Sequence, residues 1–215
     1  MKIKMLMAAG LTAALALSSC SSEEAKLAGA IAGTWNGTTT QMSHRKDKPD
    51  KKDRRDGDRN RMDAGEMTCT PTLSFVRTDG TNGGTIDISA NYTLTRGVES
   101  VASATPVSAT VNGSIKASGT WTAHDDDEVI INLDPTKTVV DVDTTSVFLN
   151  YAQLTDAPKD SLASMRSRVI SNIPDVVKPM LEARVMKMRK LDDIKITGNL
   201  MTLEAGHTLI SFTKR

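Results

Sequence analysis

Apolar and polar residues alternate along most of this chain, and a period of two marks strands. The clearest run is 85–95, where Ile86, Ile88, Ala90, Tyr92 and Leu94 are separated by Asp, Ser, Asn and Thr. At 67–77 Leu73 and Phe75 stand two apart in the same way, while Pro71 argues for an edge or a bulge. Asp79-Gly80 and Asn82-Gly83-Gly84 between these runs are turn signals. A first strand is predicted at 33–42, starting at Gly33 and carrying Thr34 and Trp35. Residues 96–106 read as a polar connection, and 107–115 as a strand interrupted at Asn112-Gly113 by a hairpin turn or a bulge. Strand, acidic turn and strand follow at 117–123, 124–128 and 129–133, then a valine-rich strand over 136–147. The chain closes with one strand or two over 193–204, around Gly198-Asn199, and a last strand at 208–213.

Only one stretch has the helical period. Leu162, Met165, Val169, Ile170 and Ile173 recur at intervals of three and four, and Val177, Leu181, Val185 and Met188 make a second stripe. This predicts a late helical segment over about 159–191. Pro174 should end or kink the first helix, and Pro179 places the start of a second near 175–179. The fold class expected from these elements is all-β dominated: eight or nine antiparallel strands closed into an up-and-down barrel, with one late helical segment.

Two stretches belong to neither pattern. Residues 44–66 carry nine Lys/Arg and seven Asp/Glu, with no aliphatic side chain larger than Ala except Met62. Such a segment has no face to bury and is expected to be a disordered, charged insert. Asp56-Gly57-Asp58 opens like a calcium loop, but Arg61 stands where that loop needs Gly and Met67 where it needs Glu, so no metal is expected there. The other stretch is the N-terminus. Lys2 and Lys4 precede an uncharged run over 5–17, too short to span a bilayer and of the length of a secretory signal. The run ends in Leu17-Ser18-Ser19-Cys20, which resembles the bacterial lipobox. That reading makes 1–19 a cleaved lipoprotein signal, Cys20 the site of lipid attachment, and 20–31 a lipidated tether. The membrane is then a partner through acyl chains, without any spanning segment. Ser21-Ser22-Glu23-Glu24 resembles the surface-export signal of some Gram-negative lipoproteins, so the expected location is the outer membrane, with its surface and periplasmic faces both open.

Composition narrows the function classes. With 27 basic and 26 acidic residues the chain lacks the basic excess of a nucleic-acid surface. Aromatic residues make up 3%, few for a stacking platform. Lipidation of Cys20 would leave Cys69 without a partner, a small buried hydrophobe on a predicted strand. His44, His124 and His207 are scattered, and no nucleophile motif or metal-spaced His pair accompanies them. No enzyme, catalytic residue, metal or cofactor is expected.

Three motifs together resemble the lipocalins. Gly33-Thr34-Trp35 is similar to the G-x-W that opens their first strand; 117–133 and 196–215 resemble the internal and closing hairpins of small lipocalin-like (calycin-type) lipoproteins of Gram-negative outer membranes. The resemblance covers about 30–215 and implies a barrel domain over 32–215 in which Trp35 plugs the closed end, with Lys214 or Arg215 capping it by a cation–π contact. It also implies a small apolar ligand in the barrel. Leu73, Phe75, Ile86, Ile88, Tyr92 and Leu94 are the candidate lining. The alternative is a barrel filled by its own side chains, serving as scaffold for loops such as 44–66 that contact a surface protein or glycan.

Overall fold

The computed structural model describes residues 22–43, 66–98, 107–150, 159–205 and 208–215. The signal, Cys20 and the insert over 44–65 lie outside them. The elements are α1 (Glu23–Ile31), β1 (Gly33–Gly37), β2 (Thr40–Ser43), β3 (Glu66–Arg77), β4 (Gly83–Val98), β5 (Val107–Ala123), β6 (Val129–Leu133), a 3₁₀ turn (Pro135–Lys137), β7 (Val139–Asn150), α2 (Lys159–Val185), β8 (Lys190–Thr197), β9 (Leu200–Ala205) and β10 (Thr208–Lys214).

Every strand pairing is antiparallel. The order β1-β10-β9-β8-β6-β5-β4-β3 returns to β1 through Gly33↔Phe75 and Trp35↔Leu73, so eight strands close a barrel, an architecture compatible with a lipocalin-like fold. The two strands outside the ring are continuations. β2 pairs with the first third of β3 while β1 pairs with Thr72–Phe75 in its second half, so the predicted strand at 33–42 is broken at 38–39. β6 pairs with the end of β5 and β7 with its beginning, the 3₁₀ turn standing between them. Asn112-Gly113 is no hairpin. β5 runs through it, and the register shift against β7 between Thr110 and Asn112 is the bulge. Gly198 (φ 59°) turns β8 into β9, making two strands of 193–204.

β3, β4 and β5 are long enough to carry two apolar clusters on one inner face. The lower cluster includes Trp35, Leu73, Phe75, Ile86, Ile88, Trp121, Ile131, Met201 and Phe212; the upper includes Met67, Cys69, Tyr92, Leu94, Val111, Val140, Val142 and Val147. The chain closes both. Leu27, Ala28 and Ile31 of α1 belong to the lower cluster, so most of the stretch expected to be a tether at 20–31 is a helix packed on the barrel. Its start is capped by the Ser22 hydroxyl, which accepts from the Ala25 N–H. The sequence hid this because nine residues with three buried positions give little periodicity.

Val177 and Leu181 of α2 enter the upper cluster, with Val169, Ile170, Ile173 and Val185 packed against it. α2 is one helix of 27 residues containing Pro174 and Pro179, not two helices ended by them. Each proline lacks the N–H that would bond the carbonyl four residues back. Burial of Val177 and Leu181 on either side of Pro179, about 1.5–3 kcal/mol each, holds the turns in line. The helix stops at Val185, short of the expected 191, because Lys190 is already paired with Ile130 in the sheet. No helix among the described residues is long and apolar enough to cross a membrane.

Candidate functional site

The six candidate lining residues share the inner face but fall into two clusters. Leu73, Phe75, Ile86 and Ile88 belong to the lower cluster, Tyr92 and Leu94 to the upper, and each is at most 7% exposed. Phe75 meets Trp121 edge to face, with ring centroids 5.5 Å apart and planes at 87°. Tyr92 crosses β5 at Gly113 and donates its hydroxyl to the Asp141 carbonyl at 2.9 Å. A Cβ on Gly113 would run into both the Tyr92 ring and that carbonyl, so glycine is what allows the crossing. Burial, reinforced by the neighbouring Asp141 charge, pushes the phenol up to about 12. Burial also pushes the Cys69 thiol up, against a smaller opposing effect of Arg184.

Trp35 is fully buried. Its Nε1 donates to the Ile31 carbonyl at 2.6 Å, linking β1 to the end of α1. Lys214 Nζ stands 5.0 Å from the ring centroid and donates to the Ala30 carbonyl at 3.3 Å. Gly33 makes room for this crossing: its φ is +124°, and a Cβ there would stand 2.8 Å from Lys214 Cε. The G-x-W pattern thus has a local reason, with Gly33 turning the chain out of α1 and Trp35 resting on the helix end. Cys20 lies outside the described residues.

The second tryptophan, Trp121, has a feature that is invisible in sequence. Trp121 is 2% exposed, and its Nε1 has no hydrogen-bond partner among the described residues. Leaving a buried donor unpaired costs about 1–3 kcal/mol. On the inner face it is flanked by Gly119 and Ala123 along β5, and its lateral partners are Gly84 and Ile131. No Ser, Thr, Asn, Gln, His or charged residue is buried among the described residues, and the Tyr92 hydroxyl is engaged with the Asp141 carbonyl.

The barrel's charged corner is at the β5–β6 turn. Carboxylate oxygens of Glu23, Asp125 and Asp126 lie within 4.8 Å of one another, and all three residues are exposed. Partial burial, then the charges of Asp126, Asp193, Asp125 and Asp192, raise the Asp127 carboxyl above its usual range. Lys190 offsets part of this charge, reaching Glu128 at 2.6 Å and Asp192 at 3.0 Å; those hydrogen bonds, Glu128 first, raise its ammonium pKa.

Comparisons of the chain with family models, with curated proteins and with solved structures match nothing.

Proposed function

We propose that this chain is a lipid-anchored protein of the cell envelope in which a filled barrel is the scaffold and the outward loops, the 44–66 insert first among them, contact a protein or glycan partner. The observation that carries the reading is α2: Val177 and Leu181, 0% and 1% exposed, are buried in the upper cluster and cover apolar strand residues that a carrier would offer to its ligand. Below it, Phe75, Trp121, Trp35 and Phe212 are each 2% exposed or less within one continuous cluster. A protein built in this way presents its chemistry outward. The anchor rests on Leu17-Ser18-Ser19-Cys20, and the outer membrane is the proposed location.

The test is uptake of a fluorescent fatty acid or naphthalene-type probe by the full chain. The expected result is no saturable binding up to concentrations that would reveal a micromolar site, about −8 kcal/mol. Saturable binding competed by an apolar ligand would overturn the scaffold and make the barrel a carrier. The anchor is tested separately. Cys20→Ala is expected to move the protein from the membrane fraction to the soluble fraction, and continued sedimentation with normal maturation would refute it.

A further inference from the structure

Trp35 and Trp121 occupy the same apolar cluster, yet the fold treats their N–H groups differently. That of Trp35 donates to a carbonyl left free at the end of α1, Ile31 O. That of Trp121 is buried, and no group among the described residues accepts from it. The backbone around it is committed. On one side β4 pairs with β5 through Gly83↔Thr122, Gly84↔Trp121 and Thr85↔Thr120; on the other, β6 pairs through Thr120↔Asn132, Trp121↔Ile131 and Thr122↔Ile130. A donor removed from water to this extent ordinarily has a partner.

We propose that Trp121 Nε1 marks an internal binding site of this barrel for a small neutral oxygen acceptor. The acceptor is neutral because an anion would sit uncompensated: no charged side chain is buried among the described residues. This excludes the carboxylate head of a fatty acid and selects a hydroxyl, ether, carbonyl or water oxygen. The site is small because Phe75 stands against the Trp121 ring, and Ile131 and Ala123 beside it are 2% and 4% exposed. The shared chemistry has two sources, an ordered water or the head of a compact apolar molecule, and water is compatible with the filled scaffold.

The test uses the full chain labelled with ¹⁵N at its two tryptophans, with Trp35→Phe assigning the two indole signals. The expected result is a Trp121 indole proton in the hydrogen-bonded range, slow to exchange and cross-relaxing with a proton outside the polypeptide. A cross-peak at the water frequency identifies water and leaves the scaffold intact. A cross-peak to an organic molecule, recovered by denaturing extraction and found neutral by mass spectrometry, supports the site and overturns the scaffold. An indole proton at the unbonded position with cross-peaks only to the chain overturns the proposal, as does recovery of an anionic molecule at this position. Trp121→Phe, where it folds, is expected to lose the bound molecule, whereas Trp35→Phe keeps it; equal retention by both also refutes the site.

Discussion

Leu181→Ala tests the role of α2 most directly. Leu181 is 1% exposed and sits in the upper cluster. Truncation to Ala removes three carbons, about 2.4 kcal/mol of transfer free energy at roughly 0.8 kcal/mol per carbon. The cavity adds to this, because the side chains of the upper cluster stand on hydrogen-bonded strands that resist collapse; the total expected is about 2.7–5 kcal/mol. For a domain of this size that lowers the thermal midpoint by roughly 5–20 °C. Met180 is the internal control. It is the preceding residue of the same helix but 39% exposed, so Met180→Ala should cost no more than about 0.5 kcal/mol. Urea unfolding followed by far-ultraviolet circular dichroism reads both variants, and an unchanged slope against denaturant shows that only stability has moved. If Leu181→Ala costs as little as Met180→Ala, α2 does not seal the upper cluster and the argument for a scaffold falls with it.

Phe75→Ala should cost roughly 3–5 kcal/mol in the same assay, since the ring is 2% exposed and packed on Trp121; a loss below about 1 kcal/mol would mean that the lower barrel has room to spare. Gly113→Ala should destabilise by about 1–3 kcal/mol, because the new Cβ must displace Tyr92 and the Asp141 carbonyl, and a neutral result would refute the close crossing. Tyr92 and Lys190 both have raised folded-state pKa values, so both contribute stability that is complete below their unfolded values near 10 and lost as pH rises through the folded ones, about 12 for Tyr92. Stability should therefore fall across pH 10–12, and Tyr92→Phe should flatten that fall, as alkaline unfolding scans would show. Asp134 and Asp143 are lowered by hydrogen bonds from Thr136 and Thr145, so their contribution should be present above about pH 4 and disappear below it; Thr145→Val should reduce the acid-side loss.

Much of the barrel is legible in the residues themselves. Alternation over 85–95 returns as the inner face of β4, with Ile86, Ile88, Ala90, Tyr92 and Leu94 all buried, because a pleated strand fixes which residues share a face before any partner is chosen. The stripe through Val177 and Leu181 likewise marks the buried line of α2. What periodicity cannot specify is which surface that line meets. One helix stripe serves equally for packing on any apolar surface, and only the pairing of β3, β4, β5 and β7 into one sheet assembles the upper cluster that α2 covers. The same limit explains α1, whose three buried residues acquire meaning only beneath Trp35. It also explains Trp121. Alternation puts its ring inside, but whether the N–H finds an acceptor depends on the direction of one bond among neighbours distant in sequence. Leu73 and Tyr92 could be read as inward-facing from their spacing. That they fall in different clusters was decided by the length of the strands and by the two helices that close them.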